Sequence, residues 1–291
     1  MKRMLSRFCS LLGVVALAVG TSGCGIMNRM AADSVQSMLG SLLEQPDPQL
    51  VHDGAPACLL VIDSLIRRDP RNPSLLRDGC TAYTTYATAF LSGEADAVRA
   101  ARLQGRAKEY GQRLLRLRGF YTRAESAPMP EYEAALARFG GRDVPDLYAV
   151  GSAWLGWIVS CPESMEAMAE LPRALAVMER ALALDERYAD GGAHLVFGTY
   201  FSLQPVGAGQ DLPRSRRHFE RAMELGGAED LMPRVLFAEF YARAANDPEL
   251  FAGTLQGVLD SKVSDTPRLR LMNAVARDRA ARLLQQKDEI F

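Results

Sequence analysis

The chain is poor in the residues and spacings that chemistry needs. Histidine occurs only three times, as His52, His194 and His218, and none stands in an H-E-x-x-H frame. There is no G-x-S-x-G elbow, no P-loop and no dinucleotide fingerprint after a strand. Gly207-Ala208-Gly209 sits in a stretch with no expected strand, so it reads as a connector rather than a phosphate cradle. Aspartate and glutamate are scattered over helix ends and polar faces, without a tight pair in an apolar stretch. No nucleophile, base and oxyanion site can be assembled from these parts, so an enzyme is not expected, and no cofactor is implied.

An excess of positive charge is also missing. The whole sequence carries 34 basic and 35 acidic residues. That balance disfavours nucleic acid, whose affinity comes from concentrated lysine and arginine neutralising phosphates. After the first two dozen residues no apolar run approaches the 18 or so that a membrane span requires. The apolar fraction of 48% is nonetheless ample for a packed core.

Residues 1–23 read as a lipoprotein signal. Lys2, Arg3 and Arg7 form a positive n-region, and Leu11 to Gly20 form a short apolar stretch. Thr21-Ser22-Gly23 then precedes Cys24, the position where diacylglycerol would be attached through sulfur. Thr21 stands where a lipobox normally carries leucine, and a plain secretory signal or an uncleaved anchor are the other readings. Removal of the signal leaves 31 basic against 35 acidic residues, a net charge of −4. Lipidated Cys24 would hold the chain on a bilayer, and several acyl chains at about 0.8 kcal/mol per buried CH₂ make such anchoring effectively permanent. Gly25 lacks the acidic character that retains some lipoproteins in the inner membrane, which leans toward the outer membrane and the periplasmic side.

Five cysteines occur. Cys9 would leave with the signal and Cys24 would carry lipid, so Cys58, Cys80 and Cys161 would face an oxidising space. Cys58 and Cys80 lie at similar distances on either side of Asp69-Pro70-Arg71-Asn72-Pro73, so a helical hairpin would set them at one height. A disulfide between them and two buried small hydrophobes are both compatible with that placement. Three cysteines without metal-type spacing argue against a metal site.

Helical periodicity dominates from about residue 30, and no segment alternates with period two. Asn72-Pro73, Asn246-Asp247-Pro248 and Thr266-Pro267 each pair a capping side chain with proline at a first helical position. The pattern predicts helices near 29–43, 55–68, 73–91, 94–118, 128–138, 145–160, 164–184, 188–202, 212–225, 230–245, 248–260 and 267–286. Residues 44–54 read as a linker between an anchored N-terminal segment (24–54) and a helical body over 55–287, with loops at 119–130 and 204–213. The expected fold is all-α: stacked helical hairpins in a degenerate tetratricopeptide-like superhelix. Ala174, Met178 and Ala181 alternate small and bulky residues at helical spacing, and Ser215, Phe219 and Ala222 repeat the layout. An ordinary helical bundle with alanine-rich contacts is the alternative.

Aromatic side chains gather on three helices. Tyr83, Tyr86 and Phe90 lie on the first, Trp154 and Trp157 on the second, and His194, Phe197, Tyr200 and Phe201 on the third. Small residues between them (Gly151, Ser152, Ala153, Gly156, Gly198) suit tight packing, so core is one reading. Part of an apolar ligand pocket is the other, with Tyr83, Tyr86, Trp154, Trp157, His194, Phe197, Tyr200 and Phe201 as its candidates. His218 falls in a charged run, Arg214 to Arg221, that reads as a solvated helix face.

The order of several blocks resembles the T-component (TatT) family of TRAP transporters. The blocks are Leu60 to Ile66 with Asp69-Pro70 and Asn72-Pro73, Tyr83 to Ala87, Ser152 to Ile158, Leu171 to Ala174, and Met178 to Leu182. Gly192 to Leu195, Gly198 to Phe201, His218 to Ala222 and Tyr241-Ala242-Arg243 continue the match. The resemblance implies a periplasm-facing lipoprotein accessory of a secondary transporter. It implies a periplasmic substrate-binding protein as partner, a homo-oligomer such as a trimer, and an apolar or organic-acid ligand held or passed on. It assigns no catalytic residues. A general tetratricopeptide-like scaffold for envelope assembly is the alternative function.

Overall fold

A computed structural model describes residues 34–207, 209–264 and 266–291. The expected signal, Cys24 and the start of the first helix lie outside the described residues. Every regular element described is helical, so the all-α expectation holds. After α1 (residues 34–43) come α2 (Pro48–Arg68), α3 (Pro73–Phe90), α4 (Ala97–Arg116), α5 (Gly119–Ala124) and α6 (Met129–Leu136). Then follow α7 (Val144–Val159), α8 (Met165–Leu184), α9 (Gly192–Leu203) and α10 (Leu212–Gly226). The chain ends with α11 (Met232–Leu236), which continues as a π turn over Phe237–Ala242, α12 (Pro248–Asp260), α13 (Arg270–Gln285) and α14 (Lys287–Ile290).

Local chemistry explains where helices begin. Asn72 Oδ1 accepts from the backbone N–H of Ser74 and Leu75 at 3.1 and 3.2 Å, and Pro73 occupies the first helical position. Asp247 does the same for Leu250 at 2.8 Å before Pro248. Thr266 departs from the expectation. Its hydroxyl donates to Glu229 at 2.7 Å instead of capping, and only a 3₁₀ turn follows before α13. The expected linker at 44–54 is also corrected. Asp47 and Pro48 start α2 seven residues early, with Asp47 Oδ1 accepting from Gln49 and Leu50, so the connector shrinks to residues 44–47.

Successive helices pack as antiparallel hairpins, which close contacts record directly. Gly79 of α3 faces Ile62 and Ile66 of α2, while His52 near the start of α2 meets Phe90 at the end of α3. Gly111 and Gly105 of α4 oppose Val150 and Trp157 of α7. Gly151 opposes Met178 of α8, and Gly198 of α9 opposes Phe219 of α10. The residues expected to carry the small-and-bulky pattern, Ala174, Met178, Ala181, Ser215, Phe219 and Ala222, are all buried. One continuous core runs from Val35 through α9, and a second core around Leu231, Val235, Phe251, Leu255 and Ala276 holds α11 to α13. Leu271 and Val275 of α13 belong to the first core and join the two.

Cys58, Cys80 and Cys161 are free thiols, so the bridge between Cys58 and Cys80 is not formed. The hairpin register sets this part of α3 against Ile62 and Ile66, a turn beyond Cys58, and the rotation of α3 turns Cys80 away as well. Gly79, one residue before Cys80, is the residue that faces α2. Cys80 instead points toward α4 and α7, packs beside Gly111, and donates its S–H to the Ala149 carbonyl at 3.2 Å.

Candidate functional site

The aromatic residues singled out from sequence fall into three groups. Tyr83 and Tyr86 are buried between α2, α3 and α4. Tyr83 packs edge-on against Tyr110 at 6.1 Å, and the Tyr110 hydroxyl donates to Asp63 Oδ1 at 2.6 Å. The Tyr86 hydroxyl donates to the His52 carbonyl at 3.2 Å and accepts from Arg99 at 3.3 Å.

Trp154 and Trp157 form the second group, on the face of α7 toward α4 and α8. Trp154 is buried and its indole N–H donates to Glu170 Oε2 at 2.5 Å. The same oxygen lies 2.5 Å from Lys108 Nζ, which stands 3.5 Å from the centroid of the half-buried Trp157 ring. A largely desolvated cation is therefore held by one carboxylate and one indole face. Gly156 makes room for Gln104, whose amide donates to Thr88 at 3.3 Å.

The third group surrounds the start of α9. His194 is buried, and its Nδ1 lies 2.9 Å from Nδ1 of His218 on α10. Its Nε2 lies 3.2 Å from Glu186 Oε2. The tautomers consistent with both contacts have His194 donating through Nε2 to the carboxylate and accepting at Nδ1 from His218. Glu186 also pairs with Arg221, which holds its carboxyl down at about 2, with the His194 contact adding to the effect. His218 is not on a solvated face. Its ring packs 5.4 and 5.8 Å from those of Phe197 and Phe201, and burial, helped by His194, Arg214 and Arg217, lowers it to about 4. Phe201 is further covered by the Arg214 guanidinium at 4.3 Å, and Tyr200 packs edge-on against it at 5.0 Å.

A shallow, open depression runs along the end of α8, lined by Leu182, Leu184, Glu186, Arg187 and His194. Of the eight pocket candidates, His194 alone borders it. The structure thus brings His194, Phe197, Phe201 and, unforeseen, His218, Glu186 and Arg221 into one polar-aromatic cluster. It leaves Tyr83 and Tyr86 in a separate cluster and Trp154 and Trp157 in a third. Among the described residues no group of three histidine, cysteine or carboxylate side chains is placed to hold a metal.

The comparison with known families comes out on the same side as the sequence blocks. A family model described as TRAP transporter T-component matches residues 44–291. A search of curated proteins finds no match. The matched span covers the second core, all of the first core beyond α1, and all three aromatic groups.

Proposed function

The chain belongs to the TRAP transporter T-component family, and from that premise we propose that it is a lipid-anchored, periplasm-facing helper that docks the transporter's substrate-binding protein. The family is one of transporter components and not of enzymes. What this reading adds is the tether at Cys24, the periplasmic side of the outer membrane, a tetratricopeptide-like stack, self-association into a homo-oligomer, and the docking role itself.

One observation carries the emphasis on docking. Six of the eight aromatic and histidine candidates are buried side chains held by defined partners: Tyr83, Tyr86, Trp154, His194, Phe197 and Phe201. Side chains committed in this way stiffen a stack of hairpins, and rigid helical stacks work through their surfaces. Contact with an apolar or organic-acid ligand is assigned to the open depression beside His194, where Leu182 and Leu184 supply apolar wall and Arg187 a cation.

Uptake measured in cells tests the proposal. Deleting the chain should lower uptake of the TRAP substrate, and the full chain should restore it. Restoration by Cys24→Ser to the full level would remove the tether from the account. Unchanged uptake on deletion would remove the accessory role.

A further inference from the structure

The stack of hairpins begins with a helix whose outer face none of the described residues covers. Val51, Ala55, Leu59, Ile62 and Ile66 are the buried apolar side of α2, and Ile62 and Ile66 meet Gly79 of α3. Half a turn away, Gly54, Ala57, Leu60, Val61 and Ser64 form one exposed stripe at helical spacing. Leu60 is 67% exposed and Val61 50%, and a side chain at Gly54 would meet open space. From Gly54 to Ile66 the one charged residue is Asp63, which is buried and accepts from the Tyr110 hydroxyl. The terminal elements of a helical stack ordinarily turn a polar face to water, so an uncharged one marks a further contact.

Charge gathers at the two ends of the stripe, with opposite sign. Glu44, Asp47 and Asp53 stand around its start and Arg67, Arg68 and Arg71 around its end, and all six are exposed. Among the described residues Arg67 and Arg68 make no ion pair, while Asp53 meets the His52 ring at 2.8 Å and the Gln49 amide at 3.0 Å. The neighbouring elements leave this polarity in place. α1 carries no charged residue over 34–43. α4 meets α2 at Asp63, about a third of a turn from the stripe, so its exposed Arg102 and Glu109 border the stripe rather than lie in it. Arg99 covers the Tyr86 ring, Arg270 donates to the Glu44 carbonyl, and Asp69 accepts from Asn72.

A face built this way complements itself. Set a second α2 antiparallel about an axis between Leu60 and Val61. Leu60 of each copy then stands opposite Val61 of the other, Ala57 opposite Ser64, and Asp53 opposite Arg68. The small side chains of Ala57 and Ser64 let the two backbones come close, and the acidic end of each helix meets the basic end of the other. Such self-complementarity is what a two-fold interface requires. An anionic bilayer suits the face less well, because a helix lying flat would bring its acidic end to the lipid together with its basic one.

We propose that α2 is a self-association face, and that its occupant is the α2 of a second copy of this chain, antiparallel and centred between Leu60 and Val61. This rests on the self-association stated above and adds the surface, its symmetry and its register. Leu60 and Val61 supply the area removed from water at the centre, and the paired ends set the orientation. One helix pair is a small contact, and copies tethered to one bilayer meet at the effective concentration that a small contact needs.

Disulfide trapping in cells tests it on the full chain, with Cys58→Ser and Cys161→Ser as background and Cys24 intact. Two differently tagged copies, one carrying Ala57→Cys and the other Ser64→Cys, should join on mild oxidation. Either variant by itself should give at least about tenfold less, because its thiols would lie seven residues, about 10 Å, apart along the pair. Leu60→Cys should link to itself, since the axis offsets the two copies by a single residue. Asp53→Arg should lower that yield about fivefold, and adding Arg68→Asp should bring it back to within about twofold. Ala57→Cys copies that link to one another as readily as to Ser64→Cys would overturn the antiparallel register, as would a charge exchange that restores nothing. No link at Leu60 or from the mixed pair would overturn the face. That holds if Leu60→Cys then reacts with maleimide, as an uncovered helix would, or resists it, as one covered by lipid or another protein would. The docking role is read separately by the uptake measurement above and survives either failure. All these sites are exposed, so unchanged thermal midpoints should accompany each variant.

Discussion

The Tyr86 hydroxyl fills the hydrogen bond that Pro56 cannot make. In a continuous α2 the His52 carbonyl would accept from the N–H of residue 56, and proline has none to give. Tyr86 reaches across from α3 and donates to that carbonyl at 3.2 Å. A residue that from sequence could line a pocket is thereby a splint for a helix interrupted by proline.

Tyr86→Phe should therefore destabilise the chain by about 1–2 kcal/mol, the cost of stranding a buried acceptor. In a Pro56→Ala background, where the backbone supplies its own donor, the same change should cost clearly less. Urea midpoints of the four proteins measure the difference. Equal costs in both backgrounds would mean that the hydroxyl does not serve this carbonyl.

His218 gives the fold a pH dependence with a defined sign. Its folded pKa of about 4 lies below the ordinary histidine value of 6.5, so the unfolded chain takes up the proton first as pH falls. The contribution is present above pH 6.5 and is lost between about 6.5 and 4. Because the ring is only half buried, about 1–2 kcal/mol is expected after solvent screening. His218→Gln should show a shallower loss of stability over that window than the parent. Asp78, pushed up to about 6 by burial, slopes the other way in both proteins and cancels from the comparison.

Two glycines on helices should respond in opposite directions. A methyl group at Gly151 would stand 3.3 Å from the backbone Cα of Met178 and 2.9 Å from its Cε, so α7 and α8 would have to separate. Gly151→Ala should cost about 1–3 kcal/mol. Gly253 in mid-α12 faces open space, and Gly253→Ala should gain about 0.5–1 kcal/mol. Thermal midpoints of the two variants decide it.

The thiols should differ in reactivity rather than pair. Burial pushes the Cys80 thiol far up and shields it, while Cys58 is half-buried on α2. Maleimide should label Cys58 in the native protein and reach Cys80 only after unfolding, with no change on prior reduction. Release of a thiol by reductant at either position would contradict the free pair.

Much of this was legible beforehand, for physical reasons. Asn72-Pro73 and Asp247-Pro248 announce helix starts because cap and proline act locally. Asp47-Pro48 carries the same signal, yet Gly54 and Pro56 hid it, since Pro56 leaves the His52 carbonyl to a tertiary donor from Tyr86. The pairing of Cys58 with Cys80 was not legible, because spacing about a turn fixes neither the offset of the two helices nor which face meets the neighbour. His218 looked solvated among Arg214, Arg216, Arg217 and Arg221, although the alternating face of α10 buries Ser215, Phe219 and Ala222 beside it. Lys108, Glu170 and Glu186 carried no sequence signal at all. Their partners are distant in the chain, and ordinary charged residues become site residues only once the hairpins stack.

The central claim is docking, and direct binding in solution tests it most simply. Native mass spectrometry of the full lipoprotein in detergent, mixed with the purified TRAP substrate-binding protein, should record a stoichiometric complex. Two species that never associate, at low salt and with the transporter's substrate present, would contradict the account.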